Sequence, residues 1–227
     1  MRTISLSETS VREANRQLHD QTAELAETQW RITDPEGRHA LACGLDQTLE
    51  VEIDGHAGYY CAGMNQKARV TINGMVGVGV AENMMSGEVR VKGNASQSAG
   101  ATAHGGLLVI EGDASARCGI SMKGVDIVVG GSVGHLSAFM GQAGRLVVCG
   151  DAGEALGDSI YEARLYVRGS VKSLGADCVE KEMRDEHLAE LRDLLDAAGL
   201  DARAEDFRRY GSARELYNFK VDNADEY

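Results

Sequence analysis

VEIDG (51–55), VTING (70–74), VRVKG (89–93), LVIEG (108–112), IVVGG (127–131), LVVCG (146–150) and LYVRG (165–169) are one phrase written seven times. The glycine closing each phrase, from Gly55 to Gly169, follows its predecessor by 19 residues without insertion or slip. Apolar residues recur four and two positions before it. Val51, Val70, Val89, Leu108, Ile127, Leu146 and Leu165 form one set, and Ile53, Ile72, Val91, Ile110, Val129, Val148 and Val167 the other. Positions two apart in a strand share a face, so both sets point to one interior. The residue directly before the glycine (Asp54, Asn73, Lys92, Glu111, Gly130, Cys149, Arg168) is mostly polar and points out.

A short fixed period whose unit cannot bury its own apolar face is the mark of a solenoid. Nineteen residues are too few for a strand, a helix and two turns, and suit one coil of a parallel β-helix. Stacked at roughly 4.8 Å, such coils lay each Val or Ile on its counterpart and build an apolar column. The predicted fold is therefore an all-β solenoid, a right-handed parallel β-helix of about seven 19-residue coils with flanking N- and C-terminal α-helical segments. The repeated glycine is expected to supply a turn conformation that other residues reach only with strain. Small residues in register after it (Gly58, Gly77, Ser96, Ser115, Gly134, Gly153) mark the corners.

Working outward, three segments follow: a strand and helix cap over residues 1–48, the β-helix over 49–176, and an acidic helical tail over 177–227. Ser10 with Glu13 offers a capping box for a helix carrying Val11, Ala14 and Leu18 on one side. Residues 30–33 read as a strand closed by the Asp34-Pro35-Glu36-Gly37 turn, and 40–46 lead into the first coil. Beyond the last coil, Leu188, Leu191, Leu195 and Ala198 recur at helical spacing, with Gly199 as a stop. Both flanks are expected to cover the open ends of the solenoid, where unpaired backbone invites a foreign strand.

Of the formal charge of −12, residues 49–176 carry −2 and residues 177–227 carry −7. No basic stripe of the kind nucleic-acid binding requires is present, and the acidic tail reads first as a solvated surface. No apolar run approaches a membrane span, and the first ten residues lack the apolar core of a signal peptide, so a cytoplasmic location is expected.

The five cysteines, Cys43, Cys61, Cys118, Cys149 and Cys178, contain no C-x-x-C pair, which argues against a zinc or iron–sulfur site made by this chain alone. Cys61 and Cys118 share a repeat position but lie three coils, about 14 Å, apart, too far for a disulfide. Free buried thiols are expected. The histidines, His19, His39, His56, His104, His135 and His187, never recur from coil to coil and read as surface or coil residues, with His104 and His135 nearest a groove. No nucleophile elbow and no recurring carboxylate pair is found. The run GMVGVGVAENMMSG (74–87) imitates a dinucleotide loop, but no helical pattern follows it, so it reads as a corner. Tyr59, Tyr60, Met64, Phe139 and Met140 exceed their counterparts in size and are expected to fill the interior or face a partner. Catalytic, cofactor-binding and metal residues are thus each expected to be none on this chain.

The glycine pairs Gly55 with Gly58, Gly74 with Gly77, Gly131 with Gly134 and Gly150 with Gly153 resemble the GXGXG β-helix that ends the large subunit of glutamate synthase, and a similar β-helix domain found in formylmethanofuran dehydrogenase. The length and the ending RELYNFKVDNADEY (214–227) look most like the small β-helix subunit of N-methylglutamate synthase. That resemblance implies a non-catalytic scaffold in a hetero-oligomer with a class II glutamine amidotransferase-like subunit and an FMN-binding glutamate synthase-like subunit that carries an iron–sulfur cluster. The assembled enzyme would make N-methylglutamate and ammonia from methylamine and glutamate. The alternative keeps the scaffold and changes the machine to a formylmethanofuran dehydrogenase or formyltransferase-hydrolase complex. A secreted polysaccharide enzyme would need a signal peptide and recurring charged residues on one face. A stand-alone binding solenoid would need a row of identical exposed side chains, and the outward positions are too varied for one.

Overall fold

The computed structural model describes residues 1–20 and 28–216, and so the end of the RELYNFKVDNADEY stretch lies outside the described residues. Its elements are β1 Arg2–Ser5, α1 Val11–His19, β2 Gln29–Thr33, β3 Glu50–Ile53, β4 Arg69–Ile72, β5 Glu88–Val91, β6 Leu107–Ile110, β7 Lys123–Val129, β8 Ala143–Val148, β9 Arg164–Val167, β10 Cys178–Lys181, α2 Asp185–Ala198, a 3-10 turn Ala204–Asp206 and β11 Arg208–Ser212. They form a parallel β-solenoid: one sheet runs β1 to β9 in chain order and ends β11, β10. Val51 pairs with Val70, Val70 with Val89, and so on to Leu165, in one register. Both predicted apolar sets are buried. A second wall stacks single bridges at Ala57, Val76, Ala95, Ala114, Val133, Ala152 and Val171, again 19 residues apart.

The stack runs two strands further toward the N-terminus than the 19-residue period. Trp30 pairs with Val51 and Arg2 with Trp30, both in parallel. Longer connections hide these strands from a fixed-period reading. α1 sits in the longer of the two connections, with Ser10 accepting from the Glu13 N–H at its start. Ala14 and Leu18 are fully buried with Ile4, Trp30 and Leu41, and Asn15 donates to Ala40 O (2.7 Å) and accepts from Ala42 N (2.9 Å). This helix closes the N-terminal end of the core.

The other end is closed differently from expectation. β11 pairs antiparallel with β9, and β10 with β11, so the C-terminal segment is not simply helical and two of its strands finish the sheet. Tyr210 enters the main core. α2 instead lies along the outer face of the sheet, where Leu191, Leu194, Leu195 and Ala198 are buried with Val109, Val128, Val147, Cys149 and Tyr166. Gly199 ends it in the left-handed conformation (φ 66°).

The glycines also serve another purpose than predicted. Of the seven, only Gly55 has positive φ. The others are needed because coils touch there: a Cβ on Gly74 would lie 2.6 Å from the carbonyl of Gly55, and one on Gly150 would lie 2.7 Å from the backbone of Gly131. Left-handed backbone occurs elsewhere, at three alternate residues per coil such as Tyr60, Ala62 and Met64, or Leu136, Ala138 and Met140. The middle position is always Ala or Gly (62, 81, 100, 119, 138, 157), the residues least obstructive in a buried turn.

Candidate functional site

The first coils carry large apolar side chains on the outside. Tyr59 and Tyr60 are each 49% exposed, Met64 is 54%, and Met75 and Met85 are 48%. Met140 is exposed as well, and Phe139 is half-buried. Interior filling is therefore excluded for the tyrosines and for Met64 and Met140. Tyr59 is fixed from beneath by His39, whose ring stacks on it at 4.5 Å and whose Nδ1 accepts from the Tyr59 N–H (2.9 Å).

That histidine belongs with a device the sequence reading missed. The side chain following each glycine accepts from the N–H of the equivalent residue one coil on: His56 from Met75, Asn94 from Asp113, Asp113 from Ser132, Ser132 from Asp151, and Asp151 from Ser170, all within 3.0 Å. The column is visible in the sequence as acceptor side chains at 56, 94, 113, 132 and 151, interrupted by Met75. The ladder needs the bare glycines, because a Cβ at Gly112 or Gly131 would collide with Asn94 or Asp113. Bonding to the Ser170 N–H and hydroxyl holds the Asp151 carboxyl below its ordinary pKa.

The remaining histidines are dispersed. His19 donates to Cys43 O, His187 accepts from the Arg184 N–H at the start of α2, and His104 and His135 are exposed. Burial, first of all, lowers the His187 pKa. All five thiols are free; Cys43 is half-buried and the others are buried. Burial pushes Cys118 and Cys178 up to about 12, away from the thiolate that metal ligation uses. Among the described residues, no three His, Cys, Asp or Glu converge as a metal would require. The run 74–87 is a corner: Gly77 N bonds Ala57 O, Gly79 N bonds Gln97 O and Ala81 N bonds Cys61 O, leaving none of these donors for a phosphate. No helix among the described residues is long and apolar enough to cross a membrane.

On the outer face, one carboxylate gathers three partners. Glu190 of α2 accepts from Tyr166 (2.6 Å) and from Arg164, and Arg145 approaches it at 3.4 Å while also clasping Asp126. Burial works against the Glu190 charge, but the bonds from Tyr166 and Arg164 outweigh it and hold its pKa below the ordinary value. Burial and this bond raise that of Tyr166.

These features define a β-solenoid with a helix-clad half, a polar half and an exposed aromatic and methionine flank. The chain is 60% identical, over 228 residues covering all of both chains, to Protein GlxC of Rhizobium meliloti (strain 1021). It belongs to the GlxC family. No family model matches the chain. No solved structure matches it.

Proposed function

We propose that this chain is the non-catalytic scaffold subunit of a glutamate-synthase-type enzyme complex, in its most specific form an N-methylglutamate synthase. The observation carrying this reading is the unbroken stack. From β2 to β9 the core-facing residues of each coil pair with both neighbours, and the turns and the side-chain ladder add further bonds between coils. Bending such a rod strains several hydrogen bonds at once. It suits a spacer that keeps two catalytic parts at fixed distance and orientation while a small nitrogen nucleophile passes between them.

The partners in this reading are a class II glutamine amidotransferase-like subunit and an FMN-binding, iron–sulfur-containing synthase-like subunit, joined in a cytoplasmic hetero-oligomer. FMN and the cluster belong to that second subunit, since the thiols here are dispersed and Cys61, Cys118, Cys149 and Cys178 are buried. The exposed Tyr59, Tyr60, Met64, Met75 and Met85 favour a partner contact on the first coils. The test is a native pull-down of the tagged chain, with mass spectrometry and a visible spectrum. Co-purification of an amidotransferase-like protein and a yellow-brown flavin, iron–sulfur protein supports the reading, and methylamine-dependent activity then tests its specific form. A chain that emerges alone and colourless overturns it.

A further inference from the structure

At the C-terminal end of the sheet, a cavity of about 280 Å³ is lined by Arg164, Lys181, Arg184, Arg209 and Arg214, with Glu162 as its one acidic lining residue. This is a concentration of positive charge in a chain whose net charge is −12. Three of the five cations are matched: Arg214 by Glu162 (2.8 Å), Arg184 by Glu182 (3.0 Å) and Arg164 by Glu190. Arg209 and Lys181 are not matched by any carboxylate among the described residues. Arg209 spends Nε and Nη2 on the uncharged carbonyl of Glu182 (3.0 and 2.8 Å), which leaves Nη1 for another acceptor.

Arg209 and Lys181 stand directly opposite each other in the antiparallel pair of β11 and β10. Directly opposed like charges weaken a strand pair. Burial, together with the Arg164 and Arg184 charges, pulls the Arg209 pKa below its ordinary value, which reports an uncompensated positive field. The fold therefore retains a repulsive pair at the mouth of a cavity, and a bound anion would reverse its sign.

We propose that this cavity binds a small dianion, presented as two carboxylates or as one phosphoryl group, through the Arg209 guanidinium and the Lys181 ammonium. Guanidinium and ammonium donors bind both kinds of oxygen by charge-assisted hydrogen bonds. The experiment is calorimetric titration of the full chain with inorganic phosphate and, separately, with succinate at fixed ionic strength. Saturable binding of phosphate alone assigns a phosphoryl ligand, of succinate alone a dicarboxylate, and of both a site selecting charge; each supports the proposal. Arg209→Met and Lys181→Met should each weaken binding about tenfold or more, the loss of one charge-assisted bond. Lys172→Met, which removes a cation paired with Glu154 elsewhere, should leave binding unchanged. Should Arg209→Met fail to fold, Lys181→Met and anion-induced amide shifts at Lys181, Arg209 and Gly211 in the unaltered chain decide the matter. Absence of saturable binding to either anion overturns the proposal, as does binding that ignores Lys181→Met and shifts none of those amides.

Discussion

The outer face of the sheet is two surfaces built on one repeat. In β3, β4 and β5 the residue three before the glycine is Glu52, Thr71 or Arg90, and the face is polar. In β6 to β9 the same position is Val109, Val128, Val147 or Tyr166, each fully buried under α2 and its neighbours Ala204 and Phe207. The inner columns do not change across this boundary. The period sets what a coil needs in order to stack, and the outer column records what each coil meets outside. Burying a large apolar side chain contributes about 1.5–3 kcal/mol, so the covered half adds stability that the polar half leaves to the core alone.

The largest effect should come from a charge placed on each half. Val147→Asp puts a carboxylate among the buried Leu191, Leu194 and Leu195 cluster, with a cost of about 3–5 kcal/mol or detachment of α2. Thr71→Asp on the polar half should stay within about 0.5 kcal/mol. Urea denaturation measures both, and equal losses would show that the cover contributes nothing.

Next in size is the polar clasp of the cover. Tyr166→Phe removes a hydrogen bond to the ionised Glu190 and should cost about 1.5–3 kcal/mol. The linked pH effect has a definite sign. Because the folded-state pKa of Glu190 lies below its ordinary 4.5, its contribution is present above that value and is lost as pH falls through the folded one. Stability should decline below about pH 4.5, and Glu190→Gln should flatten that decline. An unchanged acid limb in this variant would assign the decline to other carboxylates.

A smaller effect tests the boundary. Arg90 belongs to the last strand of the polar half, yet its Nη1 donates to Ala198 O (2.8 Å) at the C-terminal end of α2, where a cation also meets the helix dipole favourably. Arg90→Met should cost about 1 kcal/mol. Hydrogen exchange should quicken in the last turn of α2 before anywhere else; uniform quickening would mean that the contact does not anchor the helix.

The inner columns were legible because nothing interrupts a 19-residue period, and α1 was legible because Ser10 and Glu13 mark its start. The first two strands were not legible as coils, since their offsets differ from the period and a helix intervenes. The docking of α2 was written in the sequence, in the change from Arg90 to Val109, but it appears only when the outer column is read beside the leucine spacing of residues 188–198. The role of glycine was misread because a periodic glycine suggests a turn, whereas here the next coil's backbone and side chains occupy the space a Cβ would take. The anionic-ligand cavity left no motif. Its cations come from β9, β10, β11 and the segments beside them, and all but Arg164 lie in a stretch whose net charge of −7 conceals them.

The smallest effect gives the finest test of the two halves, because it compares arginines at one column of the repeat. Arg69 reaches Glu88 at 3.1 Å with its side chain 61% exposed. Arg145, four coils on, clasps both oxygens of Asp126 and also approaches Glu190, with 31% exposure. An exposed pair gains little because water screens it and both side chains lose freedom, so Arg69→Ala should change stability by about 0–0.5 kcal/mol. Arg145→Ala leaves two carboxylates short of a partner beneath the edge of α2 and should cost clearly more. Raising the salt concentration should erase whatever Arg69 contributes and spare most of the Arg145 effect. If the two substitutions were equal at all salt concentrations, α2 would shield nothing on its half of the face, and the division between covered and open coils would concern apolar packing alone.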